Sequence, residues 1–160
     1  MKKYAGLALF LILWCSGVSA LEIPGKTSYK LNDYAGVISS EAKPKIEQAL
    51  VDFKKSNNAE LIVTILPSLE GMDFGQFVSA YTPKWRRMWP FENDRRIHFI
   101  IVIGDKKMRM GVGMPLSKRL TRQKTDFILN QIMKPYFAQD EYARGIRIGI
   151  EAVQAVLKAK

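Results

Sequence analysis

Apolar residues recur along this chain in two rhythms. Between Ser40 and Lys55, Ile46, Leu50 and Phe53 return every three or four positions, the spacing of one face of a helix. Ser39 and Ser40 offer N-cap oxygens ahead of it, and Pro44 falls in its first turn, where a missing amide proton costs little. The run ELIVTIL, Glu60 to Leu66, is instead continuous and β-branched and is closed by Pro67, which predicts a buried strand. After a turn at Gly71, Asp73 caps a second helix whose Phe74, Phe77, Val78, Tyr81 and Trp85 share a face, and Pro83 is expected to kink or divide it. IHFIIVI, Ile97 to Ile103, predicts a central strand covered on both faces. Gly104 to Lys107 turns the chain into a further strand, Met108 to Val112. Helical spacing resumes from Thr121 through Phe127, Ile128, Ile132 and Met133 and is expected to stop near Pro135. A last helix covers roughly Glu141 to Ala159, with Ile146, Ile150, Val153 and Leu157 facing inward.

This succession predicts a single compact α/β domain, a mixed central β-sheet with a β-hairpin and helices packed on both faces. The domain is expected over residues 33–160, preceded by an extended segment at 21–32 that mixes Pro24, Gly25, Lys26, Thr27 and Ser28 without period. Residues 1–20 follow another logic. Lys2 and Lys3 precede an apolar run from Ala5 to Trp14 and a small-residue exit at Val18, Ser19 and Ala20, the order of a secretory signal peptide. The run is shorter than the roughly 20 residues that span a bilayer. Cleavage near Ala20 and a periplasmic or secreted location are therefore expected, with retention of the segment as an anchor the competing outcome.

Processing changes the chemistry. The chain has one cysteine, Cys15, which leaves with the leader, so the mature protein has no thiol for a disulfide, a nucleophile or a metal. Two of the 25 Lys and Arg residues leave too, while all 15 Asp and Glu residues stay, and the formal charge moves from +10 to +8. A surplus of that size favours anionic partners, which outside the cytoplasm means headgroups, polysaccharide, phosphorylated ligands or acidic proteins rather than nucleic acid. The mature chain carries no further apolar run long enough to span a membrane.

No Gly-rich phosphate loop and no Gly-x-Ser-x-Gly elbow occur. His98, the sole histidine, opens an apolar strand without His or Cys nearby, which suits a packed, hydrogen-bonded imidazole better than a metal ligand. A hydrolytic site without a thiol would need a metal or paired acids. Asp33 and Asp94 are the leading catalytic candidates; with Asp105 they are also the candidate ligands for calcium or magnesium, although no cofactor is required by the sequence. Each has a local alternative, Asp33 capping a turn and Asp105 sitting in a hairpin bend, as Asp73 caps a helix. KWRRMWPFENDRR, Lys84 to Arg96, interleaves bulky aromatics with bases. Arg86, Arg87, Arg95 and Arg96 suit phosphate or carboxylate, and Trp89 and Phe91 suit an interface.

Several stretches in order resemble the TPM domain family: LNDYAGVIS at 31–39, LIVTILPSLEGMD at 61–73, Trp85, the hairpin from Ile97 to Gly113, and MKPYFAQDEYARGI at 133–146. The resemblance implies a sheet with helices on both sides, an extracytoplasmic location and, in some members, calcium binding or acid phosphatase activity; others are accessory subunits of membrane complexes. The departures fall where chemistry would be. Arg95 and Arg96 follow Asp94 where the family has Asn-Gly, and Gly111 and Ser117 stand where it has Glu. Two carboxylates that a hard cation would need are thus missing. The expected function is that of an accessory or binding module for an anionic envelope partner. A metal-assisted phosphatase using Asp33 and Asp94, or a structural partner of a membrane-protein complex docking through Trp89 and Phe91, are the alternatives.

Overall fold

The computed structural model describes residues 30–88 and 94–159, with Arg86 and Met88 described by helical backbone alone. The predicted leader with Cys15, most of the predicted extended segment, Trp89, Phe91 and the Arg86 side chain lie outside the described residues. Four strands form one sheet in the order of the chain: β1 (Leu31–Asp33), β2 (Glu60–Leu66), β3 (Arg96–Val102) and β4 (Lys107–Val112). β1, β2 and β3 run parallel, and β4 returns antiparallel from β3. Leu31 and Asn32, the last positions of the predicted extended segment, form the edge strand together with Asp33, Leu31 lying opposite Val63 and Asp33 opposite Ile65.

Every residue of β2 is buried, because the two faces of the sheet carry separate cores. Leu61, Val63, Ile65, Phe99 and Ile101 point to the larger one, where α1 (Lys43–Asn57) contributes Ile46, Leu50 and Phe53 and α5 (Tyr142–Lys158) contributes Ile146, Ile150, Val153 and Leu157. Ile62, Leu66, Ile100 and Val102 point the other way and meet Phe77, Val78, Tyr81 and Trp85 of α2 (Phe74–Met88). Asp73 caps α2, its Oδ1 accepting from the amides of Gly75 at 2.9 Å and Gln76 at 3.0 Å. Pro83 sits inside α2 without dividing it. Since β1, β2 and β3 are consecutive neighbours while α1 and α2 cover opposite faces, the two parallel crossovers have opposite hands.

The third helical stretch departs from the expected rhythm. α3 (Arg122–Phe127), capped by Thr121, widens into a π-helical segment, Ile128–Met133, and then continues as α4 (Lys134–Phe137). The Lys134 amide donates to the carbonyl of Leu129, five residues back. Pro135 has no amide proton and its ring crowds the carbonyl four residues earlier, and the wide turn lets the helix pass through it instead of stopping. The inward set becomes Ile128, Leu129 and Met133, Ile132 is only partly buried, and Phe127 turns outward with 56% of its surface exposed.

Phe99 and Phe127 should therefore behave as opposites. Phe99→Ala is expected to lower the free energy of unfolding by about 3–5 kcal/mol, and Phe127→Ala to change it by less than about 0.5 kcal/mol, in urea denaturation of the two proteins.

Candidate functional site

α2 is a single helix and covers β2 and β3, leaving the same face of β4 open. A trough of about 250 Å³ results, walled by Thr82 and Trp85 of α2, floored by Ile62, His98 and Ile100, and edged by Asp94, Arg96, Arg109 and Gly111. Register explains the gap: Gly111 lies opposite His98 and gives the floor no side chain there, and Arg109 lies opposite Ile100 at the exposed rim. Gly113 closes the end. A Cβ there would fall 1.8 Å from the carbonyl oxygen of Asp94, so only glycine lets this segment cross so closely.

His98 is the most constrained polar group in the trough. Its Nε2 lies 2.8 Å from Thr64 Oγ1, and its ring centroid lies 4.1 Å from that of Trp85. Trp85 is held in turn by Tyr81 at 4.6 Å, and Tyr81 by Phe77 at 3.9 Å. Burial, reinforced by the nearby Arg96 charge, pulls the imidazole pKa down from 6.5 to about 3. His98 is thus neutral at ordinary pH. Asp94 adopts a left-handed backbone, φ 50°, and its Oδ1 accepts from Arg96 Nε at 3.1 Å and Nη2 at 2.7 Å. Arg109 makes no ion pair among the described residues.

The predicted site residues divide among separate places. Asp94 and Arg96 belong to the trough. Arg95 does not: it donates from Nε to the carbonyl of Asn58 at 2.7 Å and from Nη2 to that of Asn57 at 3.2 Å, fastening the C-terminal end of α1, where a cation also meets the negative end of the helix dipole. Arg87 is exposed on the last turn of α2. Asp33 lies at the opposite end of the sheet, accepting from the amides of Val37 and Ile38 at 3.3 and 2.9 Å in the turn-capping role its alternative reading assigned. It is level with Ile65 and Ile101, and the five strand steps from Arg96 to Ile101 alone span roughly 16 Å. Asp33 and Asp94 cannot share one cation or one substrate atom. Asp105, in the β3–β4 turn, accepts from the Leu69 amide at 2.8 Å.

Calcium or magnesium needs several oxygen ligands and an excess of negative charge. The trough offers one carboxylate, already paired with one guanidinium and facing a second, so its residues do not fit a hard cation. Among the described residues no three His, Asp or Glu side chains gather closely enough to hold a metal. Thr64 and Thr82 were not singled out by sequence as parts of one site. The available signal was one polar residue interrupting each central apolar strand, Thr64 in β2 and His98 in β3, on the same face of neighbouring strands.

A mixed sheet with two cores and an arginine-edged trough defines a small α/β module with one open face. The TPM domain model matches residues 31–156, and the chain belongs to the TPM domain family. No curated protein matches it. Among solved structures, the N-terminal domain of a protein from P. gingivalis, determined by solution NMR, is 25% identical with a TM-score of 0.69, over 79% of this chain and 80% of that one. The N-terminal domain of the cg2496 protein from Corynebacterium glutamicum is 19% identical, TM-score 0.59, over 87% and 88% of the two chains. The BA42 protein from the psychrophilic bacterium Bizionia argentinensis is 18% identical, TM-score 0.64, over 75% and 81%. These two last likenesses carry the fold alone.

The neutral imidazole sets a pH dependence. In the unfolded chain His98 titrates near 6.5 and binds a proton that the folded protein refuses down to about pH 3, so stability falls as pH drops through that window and is fully retained above it. His98→Gln is expected to flatten this dependence; thermal melting of both proteins from pH 7.5 to 4 measures it.

Proposed function

We propose that the chain is an exported TPM-domain binding module for an anionic component of the cell envelope, and that the trough beside α2 is where an anionic group of that component sits. The observation that carries the reading is the charge at the rim: Arg96 and Arg109 face the cavity against a single carboxylate, Asp94, which Arg96 already partly neutralises. Guanidinium forks suit phosphate and carboxylate oxygens. The neutral His98 ring adds a hydrogen-bonding edge without a competing charge, and Trp85 gives one wall an apolar, stacking surface. The formal charge of +8 on the processed chain draws anions toward this face from a distance, and export would place it among acidic lipids, polysaccharides and phosphorylated ligands.

The phosphatase alternative gains nothing from the geometry, because Asp33 and Asp94 stand at opposite ends of the sheet. The docking role of Trp89 and Phe91 falls on residues outside those described. Among the described residues no helix is long and apolar enough to cross a membrane.

Pyrophosphate is a suitable probe of the trough, and Trp85 in its wall a reporter. Titrating the chain that begins at Leu21 is expected to give a saturable change in tryptophan emission. In Arg109→Gln binding should weaken about tenfold, the worth of one charge-assisted contact, while Lys45→Gln on α1 should leave it unchanged. An identical response in Arg109→Gln would refute the trough as the anion site.

A further inference from the structure

The segment that leaves β4 behaves unlike the rest of the surface. From Met114 to Phe127 the chain is pinned to the larger core by Leu116, Leu120 and Thr125, and the remaining residues are exposed. Met114 keeps 78% of its surface in solvent and Phe127 56%, two of the three large apolar side chains exposed among the described residues. Four cations stand between them, Lys118, Arg119, Arg122 and Lys124, against one carboxylate, Asp126. Arg119 reaches back to the carbonyl of Leu157 and fixes the segment to the end of α5. The Arg122–Asp126 pair is long, 3.7 Å, and exposed at both partners, so it neutralises little. Lys118 and Lys124 make no ion pair among the described residues.

We infer that this basic and apolar surface docks the protein on an acidic lipid bilayer, Met114 and Phe127 entering the interfacial zone while Lys118, Arg122 and Lys124 meet headgroup phosphates. Single apolar side chains set among lysines form no contiguous patch of the kind a protein partner buries, and lysine is depleted in protein interfaces. A bilayer surface has the opposite needs. It accepts isolated apolar side chains at interfacial depth and gathers cations around them, and the attraction is additive over Lys and Arg near the surface. Phe127 cannot retreat inward either, because the wide helical turn that follows gives the core-facing positions to Ile128 and Leu129. Leu116 and Leu120 anchor the segment on the core opposite α2, and although Met114 directly follows Gly113 at the end of the trough, Lys118, Arg122, Lys124 and Phe127 line no part of it.

Vesicle flotation tests it with the chain that begins at Leu21, which contains the whole described domain and lacks the apolar leader. Vesicles of phosphatidylglycerol and phosphatidylcholine are expected to retain the protein, and vesicles of phosphatidylcholine alone to retain at least about tenfold less. Met114→Ser/Phe127→Ser and Lys118→Glu/Lys124→Glu should each weaken retention by about tenfold or more, with far-ultraviolet circular dichroism unchanged since all four positions are exposed. Phe127→Trp offers a readout that does not depend on removing anything: its emission should shift to the blue on acidic vesicles. Equal retention of the double variants, no preference for acidic lipid, or an unshifted Trp emission would each overturn the inference. Arg109→Gln is expected to float normally even where it loses pyrophosphate, so the two sites fail separately.

Discussion

A strand with no exposed residue must be covered on both faces, and β2 is such a strand. Much of the architecture follows from that. With the strands laid down in simple order, two crossovers of the same hand would put α1 and α2 on one side and leave the other in water. Opposite hands put one helix on each face, at the expense of the usual right-handed preference. The favourable side of this arrangement is large: each buried Leu, Ile or Phe contributes about 1.5–3 kcal/mol relative to exposure, and both faces of β2 and β3 are lined with them.

The same arrangement creates the trough. Four strands on the α2 side share one helix, and its aromatic ladder, Phe77, Tyr81 and Trp85, is spent on β2 and β3. β4 is left with Arg109 and Gly111 on that side, followed by Gly113, residues that build a rim and a floor instead of a core. The Tyr81 hydroxyl, buried without a hydrogen-bond partner among the described residues, has its pKa pushed well above the usual phenol value by that burial, and its ring stays uncharged against Trp85. A site can thus arise from incomplete coverage, with its charges supplied by the strand that lacks a helix.

Local patterns in the chain made the long elements legible. ELIVTIL and IHFIIVI could hardly be anything but covered strands, and the three inward residues of α1 and four of α5 were readable from spacing alone. β1 was not: Leu31, Asn32 and Asp33 show no alternation, and they form a strand because β2 has an edge to be paired. The rhythm after Thr121 misplaced Phe127 because a period of 3.6 cannot anticipate a widened turn. For the site, chemistry was readable residue by residue and assembly was not. Asp33 and Asp94 look alike in sequence and are parted by the length of β3; Arg95 and Arg96 are adjacent, yet Arg95, just ahead of β3, fastens α1 while Arg96, the first residue of β3, edges the trough.

The π-helical segment makes chain length itself a constraint. Its wide turn takes in one residue more than an α-helical turn would between Phe127 and Pro135, and Met133 at its end packs onto Gly149 of α5, where a Cβ would lie 2.6 Å from its sulfur. Removing one residue there would restore regular α-helical hydrogen bonding and still harm the protein, since it would swing Met133 away from Gly149, where the missing side chain leaves room for it. At this point in the chain, the number of residues carries as much structural information as their identity.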